Sequence, residues 1–246
     1  MTRLAAICLF LLCISGTSVL ARTVTDSAGR TVEIPDTVTR VFAAGPPASI
    51  LVYALKPEAL LGWPRALRDY EKPFIAEAFR DLPETGRLTG RGGEANLERV
   101  LALKPDLIID FGSVRDTYID LADRVQEQTG IPYLLVNGRF DETAGALRLV
   151  GEALGVPERG EVLAADVEAT FTALTSALGA VPEEDRPRVY LARGADGLET
   201  GLKGSINTEI IEKAGGRNVA DVPGQYGLVQ ASPEQIIVAN PDTIVT

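Results

Sequence analysis

The chain has 246 residues, 46% of them apolar and 24% charged, with 24 Lys and Arg against 34 Asp and Glu, two Cys and no His. That apolar share supports a real core in one or two domains and excludes a largely disordered chain. A formal net charge of -10 without a Lys/Arg run excludes a nucleic-acid binder, and the lack of His excludes His-ligated zinc or haem and imidazole general-base catalysis.

Arg3 precedes an apolar run from Leu4 to Ile14, and Ser15 to Ala21 is rich in small residues. This pattern predicts a secretory signal peptide over residues 1–21, cleaved after Ala21, since the run is too short to span a bilayer. Both cysteines, Cys8 and Cys13, fall within it, so the mature chain would carry no thiol. A rival lipoprotein signal ending at Cys13 meets the bulky Leu12 where a small residue belongs. The expectation is an exported, soluble protein.

Alternation of polar and apolar residues from Thr23 to Val41 around Gly29-Arg30 predicts a hairpin leading into a strand at Arg40 to Ala44. A short helix is expected over Ala48 to Leu55, after Pro46-Pro47. Leu97 to Asp110 reads as a helix ended at Pro105 and a buried strand, and helix then strand recur at Thr117 to Thr129 and Pro132 to Val136. From Asp141 to Ala180 the pattern is helical with one break at Gly155-Val156-Pro157, and Pro157 suits the first turn of a second helix running to Gly179. Some twenty helical residues span about 30 Å, which fits a rigid strut between lobes. After the Pro- and acid-rich Val181 to Pro187, a new strand begins at Arg188.

An internal repeat underlies this layout. Glu98, Pro105 and Asp106 have counterparts in Glu234, Pro241 and Asp242, each 136 positions on, within matching helix-Pro-strand segments. The repeat predicts two related α/β lobes with parallel sheets, joined by a long rigid helix. The expected division is an N-terminal lobe over residues 22–140, an inter-lobe helical segment over 141–181 and a C-terminal lobe over 182–246. The second lobe, ending on an apolar strand expected to be buried, reads as truncated.

In parallel sheets, ligands gather at loops beyond the strand C-termini. Those loops hold Pro46, Trp63, Arg65, Tyr70, Arg91, Ser113, Arg115, Arg139, Arg193 and Tyr226, the candidate ligand-binding residues. Recurrent arginines in an acidic chain point to an anionic ligand such as a metal chelate or an oxyanion. Arg65, Arg91, Arg115 and Arg193 are expected to converge on one cleft.

No catalytic residue, resident metal or cofactor is expected. Gly90-Arg91-Gly92-Gly93 lacks dinucleotide-loop spacing, no P-loop occurs, and Ser113 and Ser205 have no His to partner them. The surviving enzyme reading is an exported hydrolase or lyase using carboxylates.

The opening TVTDSAGRTVEIP, the strand RVFAAG, the segment ANLERVLALKPDLIID and the later GSINTEIIEKAGGRN resemble the periplasmic binding proteins of ABC importers for iron-siderophores, haem and cobalamin. The resemblance implies two α/β lobes held by a stiff helix, with no enzymatic step. It implies a metal chelate as ligand, foremost a ferric siderophore, with cobalamin, haem or an oxyanion such as molybdate or tungstate as alternatives. Haem could be ligated only through a tyrosine such as Tyr53, Tyr70 or Tyr118. It also implies a monomer that partners an ABC permease and its ATPase subunits through surface glutamates, matched here by Glu98 and Glu212.

Overall fold

A computed structural model describes residues 21–90, 97–202, 204–220 and 227–246. The expected signal peptide up to residue 20, Arg91 and Tyr226 lie outside the described residues.

The chain opens with an antiparallel hairpin of β1 (Ala21–Thr25) and β2 (Thr31–Pro35), closed by Asp26, whose carboxylate accepts from Ala28 N, Arg30 N and Arg30 Nη1. Asp26 Oδ2 also accepts from Leu135 N at 3.2 Å, tying the hairpin to the first sheet. That sheet has the order β3-β4-β5, all parallel: β3 (Val41–Ala43), β4 (Leu107–Gly112) and β5 (Tyr133–Asn137). Its helices are α1 (Pro46–Leu55), the single turn α2 (Glu77–Arg80), α3 (Leu97–Leu103) and α4 (Asp116–Thr129). The near-continuous apolar runs of β3, β4 and β5 follow from cover on both faces, one cluster including Val41, Leu107 and Leu134, the other Phe42, Ile108 and Tyr133. Each such side chain, fully buried, contributes about 1.5–3 kcal/mol.

Next come α5 (Thr143–Ala153) and α6 (Pro157–Leu178), the long helix expected from Pro157. Ala144, Leu147 and Val150 put α5 into the core of the first lobe. The two helices meet backbone to backbone, since a Cβ on Gly151 would sit 2.9 Å from Gly160 Cα. Gly160 and Ala164 are the buried residues of α6, so its first half is docked on α5 and its second half is largely exposed.

The second lobe contains β6 (Arg188–Leu191), β7 (Glu199–Gly201), α7 (Ile206–Lys213), β8 (Arg217–Asn218), β9 (Leu228–Gln230), α8 (Pro233–Ala239) and β10 (Thr243–Val245). Its parallel sheet has the order β10-β6-β8, and β7 pairs with β9 in a separate antiparallel ribbon that sequence periodicity did not announce. One expectation is corrected here: the final strand is not buried, with Ile244 56% and Val245 43% exposed. Neither apolar cluster of the described residues reaches β10, so its side chains lack the cover on the sheet faces that β3, β4 and β5 receive.

Candidate functional site

The C-terminal ends of β4 and β5 open on a cleft of about 800 Å³ between the lobes. The first lobe lines it with Gly112, Ser113, Val114, Arg115, Tyr118, Asn137 and Arg139, the second with Gly204, Ser205, Ile206, Asn207, Gly227 and Leu228. The strand ends approach closely because neither carries a side chain at the crossing: a Cβ on Gly138 would lie 2.8 Å from Gly112 Cα.

Among its described lining residues the cleft has no carboxylate, although the chain as a whole is acidic. Arg115, exposed at the N-cap of α4, has no side-chain partner among the described residues. A side chain at Gly227 would begin 4.0 Å from Arg115 Nη2, so this guanidinium reaches across to the second lobe. Ser205, the N-cap of α7, faces it from the other side. Neither helix start is capped by a side chain, which leaves first-turn amides and the positive ends of two helix dipoles at the cleft. The arrangement can hold an anion without chemistry.

Beneath the cleft, Asp110 on β4 is buried and accepts from Tyr133 Oη and Thr89 Oγ1, both at 3.1 Å. Burial raises its pKa above the usual carboxylate value, outweighing these two hydrogen bonds, and desolvation next to Asp110 also pushes the Tyr133 phenol up. Neither group lines the cleft.

Pro46, Trp63, Arg65 and Tyr70 gather in a separate cavity of about 360 Å³ at the end of β3. Trp63 is 3% exposed, with its indole Nε1 donating to Phe79 O at 2.9 Å and its ring against Tyr53. Arg65 forks onto Glu71, Nη1 to Oε2 at 2.8 Å and Nη2 to Oε1 at 2.5 Å. The Arg65 guanidinium, aided by Arg68 N, holds the Glu71 carboxyl down at about 2. Tyr70 is exposed, and its hydroxyl accepts from Arg68 Nη1 at 2.6 Å.

Of the four arginines expected together, Arg91 lies outside the described residues and the other three are not brought to one place. Arg115 lines the cleft, Arg65 lines the other cavity, and Arg193 donates to Glu199 and to Asn207 Oδ1, one side chain removed from the cleft. Arg139 lines the cleft but is paired with Glu209. Glu98 on α3 and Glu212 on α7 are both exposed. Tyr118, expected only as a haem-ligating alternative, lines the cleft, and so do Ser205 and Asn207, which were missed as ligand-binding residues; the Gly204-Ser205 start of a helical pattern was the signal available for these two. No group of three or more Cys, Asp or Glu among the described residues is placed to hold a metal ion. No helix among them is long and apolar enough to cross a membrane.

Two parallel-sheet α/β lobes, a joining helix and a cleft between facing helix N-termini define a two-lobed ligand-binding protein. The chain belongs to the periplasmic binding protein family, whose model matches residues 68–246. Among its relatives, the ABC transporter substrate-binding lipoprotein YvrC of Bacillus subtilis is 27% identical over 61% of this chain and 48% of its own length. A cobalamin-binding protein of Halobacterium salinarum is 31% identical over 64% of this chain and 42% of that protein. The chain thus spans about half the length of the curated relatives it matches. An ABC transporter solute-binding protein from Sulfurospirillum deleyianum superimposes with a TM-score of 0.78 at 28% identity, covering 91% of this chain and 70% of that one.

Proposed function

We propose that this chain is the solute receptor of an ABC importer, capturing an anionic metal chelate, foremost a ferric siderophore, and handing it to a membrane permease with its ATPase. The observation that carries this reading is a cleft that, among the described residues, has no carboxylate in its lining and no side-chain partner for Arg115, with two helix N-termini facing inward. Residues 22–140 and 182–246 act as the lobes and 141–181 as the connector of a periplasmic monomer released from its leader. Glu98 and Glu212, one on each lobe, are the docking contacts to the permease. Binding involves no bond making or breaking.

A second reading, cobalamin as the ligand, is favoured by relatives named cobalamin- and vitamin B12-binding proteins at 29–31% identity. A cavity of about 800 Å³ also suits a large chelate better than a bare tetrahedral oxyanion, which would leave most of it empty.

The test is calorimetric titration with a ferric catecholate, a ferric hydroxamate, ferric dicitrate, haemin, cobalamin, molybdate and tungstate. Saturable binding of a ferric chelate is expected, weakened about tenfold or more by Arg115→Ala, as suits loss of a charge-assisted hydrogen bond. Binding of cobalamin alone would install the second reading. Turnover of polysaccharides by the folded chain, with no member of the panel bound, would replace the receptor by a carboxylate-dependent enzyme.

A further inference from the structure

We infer that Glu209 is a positioning residue: with Arg139 it forms a latch between the lobes that sets the width of the cleft before any ligand enters. The need for such a latch follows from α6. Its first half is fixed to the first lobe by the Gly151–Gly160 contact, by buried Ala164 and by Arg148, which clamps Glu161 and Glu168. A helix set firmly at one end fixes the direction of its axis. It does not fix the rotation of a body attached beyond its other end through residues 179–187.

The second point of attachment lies where the chain leaves β5. Phe140 N donates to Glu209 Oε2 at 2.8 Å, while the Arg139 guanidinium pairs with Glu209 Oε1 and donates from Nη1 to Gly204 O at 3.2 Å. One helical turn on, Lys213 pairs with Asp141. Glu209 and Lys213 stand four apart on one face of α7, so an acid and a base grip Arg139 at the end of the first lobe and Asp141 at the start of the connector. Phe140 stacks on Phe171 of α6 at 5.0 Å, and the Lys213 ammonium stands 5.1 Å over the same ring. First lobe, strut and second lobe therefore meet at one knot.

The placement of the pair ties it to the cleft. Arg139 lines the cleft, whereas Glu209 lines a cavity of about 360 Å³ behind it with Asp141, Glu212 and Lys213. The latch is thus the wall between the two spaces. The Glu209 side chain is 7% exposed against 51% for Arg139. A buried carboxylate that loses its partner is costly, which makes the docked arrangement strongly preferred over an open one. Arg139, expected from sequence to bind ligand, is occupied in holding the lobes, and the cleft's free charge is left to Arg115.

The experiment needs no ligand, so its outcome is independent of whether the receptor reading holds. Spin labels are placed on Gln128→Cys of α4 and Ile237→Cys of α8, in the full chain with Cys8 and Cys13 replaced by Ser, and inter-lobe distances are read by double electron–electron resonance. The unaltered latch should give one narrow distribution. Glu209→Ala, which leaves the half-exposed Arg139 and the Phe140 amide to be solvated, should broaden it or move it to longer distances, and Lys213→Ala should do so less. Hydrogen exchange at the Phe140 amide should rise at least tenfold in Glu209→Ala and stay near the unaltered rate in Glu209→Gln, which keeps an acceptor for that amide. Distance distributions for Glu209→Ala and Lys213→Ala that overlay the unaltered one, in chains with native circular dichroism, would overturn the latch.

Discussion

The helix-strand unit of the first lobe and its repeat in the second share their local geometry and differ in their burial. α3 and α8 occupy positions 136 apart, as do β4 and β10 at their starts. Each helix is followed by a residue with positive φ, Lys104 at 47° and Asn240 at 43°. Each strand is entered through an aspartate, Asp106 accepting from Arg40 N at 2.9 Å and Asp242 from Arg188 N at 2.7 Å. Those two arginines in turn donate to the helix-end carbonyls of Leu103 and Ala239. Yet Ile108 and Ile109 are fully buried, while their counterparts Ile244 and Val245 are 56% and 43% exposed. β4, like its single-neighbour flanks β3 and β5, is covered on both faces, whereas neither apolar cluster of the described residues reaches β10. Local sequence sets the turn chemistry, and neighbouring elements set what that geometry is worth.

The largest expected effect tests this difference in the core. Ile108→Ala should lose about 2–5 kcal/mol of unfolding free energy, as large-to-small changes at fully buried sites do, and Ile244→Ala under about 1 kcal/mol, both read from urea titrations. Equal losses would mean that β10 is covered in solution.

Removing the aspartate should have a smaller and again unequal effect. Asp106 Oδ2 accepts from Thr39 N, Thr39 Oγ1 and Arg40 N, while Asp242 Oδ2 accepts from Arg188 N. Asp106→Ala should cost about 1–3 kcal/mol and Asp242→Ala about 1 kcal/mol, again from urea midpoints. A reversed order would show that the repeat's two turns are not held by the same bond.

The smallest effect concerns Asp110, whose repeat counterpart is Thr246. Its raised pKa means that the folded state binds the proton more tightly than the unfolded chain does. Asp110 therefore lowers stability progressively as pH rises from the ordinary carboxylate value through its raised one, and is neutral in both states below that window. Asp110→Asn should flatten the stability–pH curve across that window and leave stability below it unchanged. Identical curves for both chains would place the loss of stability with rising pH elsewhere.

Much of the fold was legible because its cues are local. Apolar periodicity and Pro157 announced the long helix, Gly29-Arg30 announced the hairpin, and the apolar runs around Leu107 and Leu134 announced central parallel strands. The candidate site was only half legible. Strand ends and loops could be listed from the sequence, and Arg115 and Ser113 do line the cleft.

What the sequence by itself determined is the α/β alternation, the repeat and the family, since hydrophobic period and turn residues act within a few positions of themselves. Only the tertiary structure decided that Arg115 has no side-chain partner among the described residues while other candidate arginines do. Arg65 is taken up by Glu71 six residues away and Arg139 by Glu209 seventy residues away, pairings that depend on which elements meet in space. It also decided that Trp63 belongs to the core and that β10 is an edge, because burial is a property of neighbours and those are supplied by distant segments of chain.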